Sequence, residues 1–496
     1  MIFNKLIIKN FKKFEYIEVP LNKNINIIVG DNESGKSTIL EAIELVTTGK
    51  LNGKQLIYNL SSEIFNKNVV MAYLNKIRDR KFVDPPEIEI DLFAEDISEN
   101  SDFKGKNNLK TEDVPGLKLS IIFNENNSKV YKDLIENGVL NDLPIEFYKI
   151  EWKSFKEETL SSYNKICSVS MIDTSEHNYN YLIGNYINDD ILSVLTEDEQ
   201  KNLGMAYRTN KMTFAKEPKI ADINKILTEK SFIKNRQLSL QLNDAGMNNW
   251  KKELSLSVDN VPYTLSGKGT QNIIKTNLAL NKIKEKSDLI LIEEPENHLS
   301  YSNMTSLIND ICQYKDNKQI FIVTHSNFIA NKIGLKDLIL INDSNILKFD
   351  KLSEDTVDYF MKLPGYDTLR LILSKYPILV EGPSDELIVQ KAYFQEYGKL
   401  PIEDGIDVIS VKGLSFKRFC EIAESIKKHI RIVTDNDGDI NKNIIQKYAD
   451  YISSDYIKIF YNKDELQYTL EPSFVAANNY EKIAKILKYT ISNENE

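Results

Sequence analysis

Ile25-Asn26-Ile27-Ile28-Val29-Gly30-Asp31-Asn32-Glu33-Ser34-Gly35-Lys36-Ser37-Thr38 decides how the chain is read. A β-branched run predicts a buried strand that stops at Gly30. From Ser37 onward Ile39, Leu40, Ile43 and Val46 recur at helical spacing. Between strand and helix, Gly30 to Ser37 fits G-x-x-x-x-G-K-[ST]. Glycines let backbone N–H groups turn inward around phosphates, and the helix N-terminus adds partial positive charge. Lys36 is expected to neutralise the outer phosphates, and Ser37 to give its hydroxyl to Mg²⁺. Gly30, Asn32, Gly35, Lys36, Ser37 and Thr38 are the expected nucleotide contacts.

Three stretches downstream fit the same reading. Asp288-Leu-Ile-Leu-Ile-Glu293-Glu294-Pro295 is an apolar strand ending in acids. Glu293 is expected beside the nucleotide's metal, and Glu294 to polarise the attacking water. Leu265-Ser266-Gly267-Lys268-Gly269-Thr270-Gln271 precedes a helical pattern over Asn272–Lys284 and looks like a varied ABC signature loop. Ser266 and Gly267 there would offer a hydroxyl and an amide to a γ-phosphate. Phe321-Ile-Val-Thr-His325-Ser326 ends a strand in a histidine, placed as a switch residue. A lone histidine there would more often be a core or capping residue, and the order of the four elements argues otherwise. A signature loop acts on ATP held by another subunit, so a head-to-tail homodimer or a higher oligomer is expected.

A second group of acids lies near the end. Ile378-Leu-Val-Glu381-Gly-Pro-Ser-Asp385 runs from strand to helix, Val408–Val411 leads to Lys412-Gly413, and Ile430–Val433 is followed by Thr434-Asp435-Asn436-Asp437-Gly438. Parallel strands end at one edge, which would gather Glu381, Asp435 and Asp437. Hard oxygen ligands suit Mg²⁺ or Mn²⁺. An EF-hand would need Glu twelve positions on from Asp435, where Gln446 stands. Lys412, Lys417, Arg418, Lys427, Lys428, His429 and Arg431 form a basic surplus between the acidic motifs. It reads equally well as a phosphate-holding surface or a solvated helix face.

Composition sets the frame. The 496 residues are 42% hydrophobic and 27% charged, as in soluble globular chains, and the length predicts two or three domains. A net charge of −10 argues against a broadly basic nucleic-acid binder, while leaving room for a local basic face. Cys167, Cys312 and Cys420 are too scattered for a zinc site or disulfide framework. Neither a signal peptide nor an apolar run long enough to span a membrane is seen, so the cytoplasm is expected. Further strands are predicted at Glu87–Phe93, Leu117–Phe123, Lys251–Val258, Gln319–Val323 and Leu338–Ile341. Glu95–Asp113 reads as a mobile polar loop. The fold class is α/β: an ATPase head in residues 1–155 and 246–350, a helical insertion over 156–245, and a parallel-sheet domain over 370–496.

In order, the phosphate loop, LSGKGTQ, LIEEPE, TH, EGPSD and DND resemble the overcoming lysogenization defect (OLD) nuclease family. The resemblance implies an ABC ATPase head with a helical dimerisation insertion, then a Toprim nuclease domain. By resemblance Glu294 is the ATPase base and His325 the switch. Glu381, Asp385, Asp435 and Asp437 are metal ligands, with Glu471 at the late acidic motif. The family places a lysine after that motif, and Lys482, Lys485 and Lys488 are the candidates. DNA is the implied substrate, anti-phage defence the implied setting, and a reverse transcriptase with its RNA or a helicase a possible partner. A topoisomerase would need a separate DNA-binding domain with a nucleophilic tyrosine, which the sequence lacks. The competing expectation is an ATP-gated sensor or scaffold with a weak Toprim site.

Overall fold

A computed structural model describes residues 1–51, 54–79, 82–138, 140, 142–160, 167–173, 195–229, 240, 257–271, 274, 289–297, 299–314, 318–342, 345–362, 367–413, 416–478 and 480–488. The chain forms two compact units, Met1–Cys167 with Tyr314–Glu496, and Ser168–Gln313.

The first unit opens with β1 (Phe3–Phe11), β2 (Phe14–Pro20) and β3 (Ile25–Gly30), followed by α1 (Lys36–Thr48). Then come β4 (Ile88–Ala94), β5 (Val114–Phe123) and β6 (Tyr148–Ser154). β2, β1, β4, β5 and β6 form an antiparallel sheet in that order. β3 instead enters a parallel ladder between β7 (Gln319–Val323) and β8 (Leu338–Asn342), with β9 (Asn345–Lys348) antiparallel on the edge of β8. Every residue of β3 is buried, as strands covered on both faces require. Burying side chains such as Ile27, Ile28 and Val29 is worth about 1.5–3 kcal/mol each. Buried Gln319 ties the two sheets together. Its Oε1 accepts from the Phe3 N–H at 2.9 Å, and its Nε2 donates to the Phe3 and Asn22 carbonyls at 2.6 and 2.8 Å.

The predicted mobile loop Glu95–Asp113 is built otherwise. A 3-10 turn spans Ser98–Phe103 and a short strand follows at Lys104–Gly105. Buried Asn108 accepts from the N–H groups of Lys110 and Glu112, both at 3.1 Å. Asp91 on β4 reaches in to accept from the Leu109 N–H at 2.6 Å. The sequence pattern registers polarity there, but not these side-chain anchors.

After β7 the chain passes through α2 (Asn327–Ile333), α3 (Glu354–Lys362) and α4 (Thr368–Leu373). It then enters a parallel sheet of β10 (Tyr376–Val380), β11 (Ile406–Ser410), β12 (Ile430–Val433) and β13 (Ile457–Phe460), in the order β11-β10-β12-β13. Three helices accompany it: α5 (Pro383–Tyr397), α6 (Phe416–Ser425) and α7 (Leu470–Ala477). α4 joins this sheet to α2. The Thr368 hydroxyl donates to Asn331 Oδ1 at 2.5 Å, and the Leu369 N–H to Asn327 Oδ1 at 2.7 Å. Arg370 then clasps Asp407 of β11, with Nε 2.9 Å from Oδ2 and Nη2 2.6 Å from Oδ1.

In the second unit the strand Val169–Asp173 runs parallel to Leu289–Glu293. Val169–Asp173 was expected within a mostly helical or irregular insertion. Its short Val-Ser-Met-Ile run is too brief for periodicity to tell strand from helix. Helices do follow, at Glu197–Lys216 and Pro218–Glu229. The first starts on a capping box in which Thr196 and Glu199 satisfy each other's backbone N–H. Of the expected strand Lys251–Val258, only Ser257–Val258 is described, as one arm of a hairpin. The helix expected over Asn272–Lys284 lies outside the described residues, Ile274 excepted. Cys167 and Cys420 are buried and Cys312 partly so.

Candidate active sites: a phosphate loop and a carboxylate edge

The phosphate loop turns between β3 and α1. Gly30 is needed because a β-carbon there would lie 2.7 Å from the Ile341 carbonyl oxygen of neighbouring β8. Gly35 takes the left-handed backbone at φ +102°, and a β-carbon on it would overlap the Phe14 ring. Lys36 is buried, and its ammonium donates to the Gly30 and Asp31 carbonyls at 3.1 and 2.7 Å. That pose folds the charge back over the loop it is meant to serve. Ser37 and Asn32 are exposed, and Thr38 is buried behind them. His325 follows β7 and is exposed. Capping falls to its neighbour, since Ser326 Oγ accepts from the Ile329 N–H at the start of α2.

In the second unit Glu293 ends its strand and Glu294 turns the chain at φ +47°, a conformation that costs a side-chain-bearing residue energy. The Asn297 amide donates to Glu294 Oε2 at 2.8 Å. The signature-like loop is braced from below. Buried Gln271 donates to the Tyr263 and Ser266 carbonyls at 3.0 and 2.9 Å, and the Ser266 hydroxyl donates to Tyr263 O at 2.7 Å. Gly267 has open space around it.

The carboxylate edge is assembled by strand register. Val380 pairs with Val433, so Glu381 and Thr434 leave β10 and β12 side by side. Glu381 Oε1 accepts from the Thr434 hydroxyl and the Asp435 N–H. The backbone of Glu381 in turn accepts from the Gly413 N–H at 2.9 Å, bringing in the end of β11. Asp385 caps α5 by accepting from the Gly382 N–H at 3.0 Å. The Leu470 N–H at the start of α7 lies near enough to Asp435 to draw its carboxyl down. Burial first, then the carboxylates of Glu381, Asp385 and Asp437, push the Asp435 carboxyl up to about 6. Asp437 is exposed at φ +50°, and its N–H donates to Tyr468 O at 3.0 Å. Glu471 is exposed on α7 and accepts from the Thr469 hydroxyl at 2.9 Å.

Sequence reasoning missed two braces here. Thr434 holds Glu381. Asn436, fully buried, ties the acidic turn to Asn462 and Asp464 through carbonyls at 2.8 and 3.0 Å, and its Oδ1 accepts from the Gly438 N–H. The partners lie too far along the chain for spacing to reveal them. Lys482 and Lys485 are exposed on the helix Tyr480–Leu487, with Lys488 just beyond.

The donor set fits a hard divalent cation. Four carboxylates close enough to raise one of them would be relieved by positive charge. Among the described residues, however, no group of three or more His, Cys, Asp or Glu stands ready-made for a metal. Glu381 and Asp385 each already accept from a backbone N–H, at 3.2 and 3.0 Å.

Residues 1–330 match the family described as AAA ATPase domain. The chain belongs to that family. Residues 372–437 match the overcoming lysogenization defect protein-like TOPRIM domain, so an OLD-type pairing of ATPase and Toprim is borne out. Endonuclease GajA of Bacillus cereus (strain VD045) is 22% identical over 88% of this chain and 75% of its own length. DNA replication and repair protein RecF of Alkaliphilus oremlandii is 26% identical over 34% of this chain. The chain spans only about half the length of the first RecF relatives it matches, from 43% to 51%. A solved Smc head bound to the C-winged helix domain of ScpA aligns with 71% of this chain and 99% of its own, at 13% identity and a TM-score of 0.36. No described helix is long and apolar enough to cross a membrane.

Proposed function

We propose that this AAA ATPase with an OLD-like Toprim domain binds and hydrolyses ATP and cuts DNA at its carboxylate edge with a divalent metal. The observation that carries the cutting reading is the hydrogen-bonded junction of Glu381 with Thr434 and Asp435 at the ends of neighbouring parallel strands. Glu381, Asp435 and Asp437 would hold Mg²⁺ or Mn²⁺, with Asp385 and Glu471 nearby. Bound there, the ion supplies a polarised water and charge stabilisation for the leaving oxygen of a phosphodiester. The protein's own part is to fix the carboxylates: Thr434 orients Glu381, and Asn436 holds the turn that presents Asp435 and Asp437.

For ATP, backbone N–H groups of Gly30–Ser37 would take the phosphates and Lys36 would swing from its carbonyls onto them. Ser37 and Glu293 would serve Mg²⁺, Glu294 would take the proton of the attacking water, and His325 would act as switch. Ser266 and Gly267 would meet the γ-phosphate held by a second copy, in a head-to-tail homodimer. The domain limits argued from the sequence, at 155, 245 and 350–370, remain part of this reading. The resemblance to the OLD family carries the rest of this reading: a role in anti-phage defence in the cytoplasm, alone or with a helicase or reverse-transcriptase partner.

A second reading, an ATP-gated sensor or scaffold, draws on the backbone donors that already occupy the Toprim carboxylates. One experiment separates the two. Purified protein is incubated with supercoiled plasmid and Mg²⁺ or Mn²⁺, beside an Asp435→Ala variant. Metal-dependent nicking that the variant loses supports the nuclease. Intact ATP hydrolysis without cutting under any metal supports the scaffold.

A further inference from the structure

α6 buries Phe416, Phe419, Cys420, Ile422 and Ala423, and turns Lys417, Arg418 and Glu421 outward. With Thr356 and Tyr359 of α3, and with Lys447 and Tyr451, they line an open cleft of about 610 Å³. The cleft is distinct from the carboxylate edge, which lies beyond the ends of β10 and β12.

Its charge is unbalanced. Glu421 is the lining carboxylate, and it is already occupied: Ser353 N–H, the Ser353 hydroxyl at 2.9 Å and the Thr356 hydroxyl at 2.5 Å all donate to it. Asp450 and Glu424 also lie near Tyr451, and Glu424 accepts from the Ser454 hydroxyl. Among the described residues Lys417, Arg418 and Lys447 make no ion pair with an acid. Arg418 donates to the Thr356 hydroxyl at 3.0 Å while its guanidinium lies 5.5 Å from the Tyr359 ring centre. Lys447 lies 5.3 Å from the Tyr448 ring centre. In a chain of net charge −10, three lining cations that make no ion pair, against one lining carboxylate already engaged by hydroxyls, mark a place for an anion.

The tyrosines say which anion. Tyr359 and Tyr451 border the cations on separate elements. Aromatic faces beside a basic groove are how single strands are held: phosphates pair with cations while bases stack at about 1–3 kcal/mol each. We propose that this cleft binds a single strand of nucleic acid, its phosphates on Lys417, Arg418 and Lys447 and its bases against Tyr359 and Tyr451. The proposal rests on the reading that the chain acts on nucleic acid. It adds a holding site that works without metal and uses none of the residues of the carboxylate edge. A free nucleotide shares the same chemistry, but engages only one phosphate group and one base, and so uses only part of the cleft.

The test uses the full chain with EDTA present, so that no cutting occurs. A fluorescein-labelled single-stranded oligonucleotide is titrated, and anisotropy is read at several salt concentrations. Lys417→Glu with Lys447→Glu is expected to weaken binding at least about tenfold and to reduce the salt slope by about 1.4, roughly 0.7 per lysine on a single strand. Replacing both by Arg keeps affinity and slope. Tyr359→Leu with Tyr451→Leu weakens binding with the slope unchanged. Thymidine monophosphate displaces the strand only at concentrations far above those of competing unlabelled strand. Unchanged affinity and slope in the glutamate variant, with its melting temperature preserved, would overturn the proposal. Equal competition by the mononucleotide would overturn the strand as occupant. The nicking assay with Asp435→Ala is read separately, so a failed nuclease reading and a failed cleft are told apart.

Discussion

One oxygen of Glu381 is shared by the Thr434 hydroxyl at 2.6 Å and the Asp435 backbone N–H at 3.2 Å. Thr434→Val keeps the shape and removes one donor to a partly buried carboxylate. It should cost about 1–2 kcal/mol of stability, read as a lower melting temperature, and should slow nicking further than that loss explains. Thr434→Ser should restore both. Wild-type nicking in the valine variant would show that Glu381 needs no orientation.

Asp435→Asn removes the charge on which three other carboxylates, Glu381, Asp385 and Asp437, act, and keeps the shape of the side chain. The fold should keep its melting temperature or gain slightly, while metal-dependent nicking falls by about 100-fold or more. A large loss of stability would instead assign Asp435 to capping α7.

For the nucleotide, Lys36→Ala should weaken ATP binding about 100-fold, the worth of a charge-assisted contact or two. Equilibrium binding of a fluorescent ATP analogue reads it. Glu294→Gln should leave binding intact and lower hydrolysis by about 100-fold to 10,000-fold. Normal turnover in that variant would remove Glu294 from the role of base.

Asp91 carries a pH dependence whose sign is fixed. It is fully buried, and burial pushes its carboxyl up to about 6 from 3.8, against the pull of the Leu109 N–H and Lys118. A carboxyl raised on folding favours the folded state below about pH 3.8, and this advantage is lost as pH rises through about 6. The difference of about two pH units amounts to roughly 3 kcal/mol. Asp91→Asn should therefore flatten the fall in stability between pH 4 and 6, measured by urea unfolding. An unaltered slope would place the proton elsewhere.

The legible parts of the sequence were those where a short pattern and its geometry coincide. Gly30 to Ser37 declared its loop because glycine and lysine are forced there by backbone and charge. Strands such as Gln319–Val323 and Ile430–Val433 declared themselves by β-branched runs. Glu381 and Asp435 were brought together by the parallel-sheet rule alone. What stayed hidden depends on partners far away in the chain. Gln319 meets Phe3, Arg370 meets Asp407, and Asp91 meets Leu109. Each looks like any surface polar residue until the fold is known. Val169–Asp173 was hidden for another reason: five residues hold too little periodicity to choose between helix and strand.

The pairing of Val380 with Val433 has an evolutionary and an engineering corollary. The distance between the two acids is set by the spacing of adjacent strands, about 4.8 Å, and not by the length of chain that separates them. Loops and helices over 383–429 are thus free to grow or shrink, as long as both strands stay paired. Deleting a single residue inside β12 is another matter: it turns the acids that follow toward the opposite side of the sheet, so length is cheap between the strands and fixed within them.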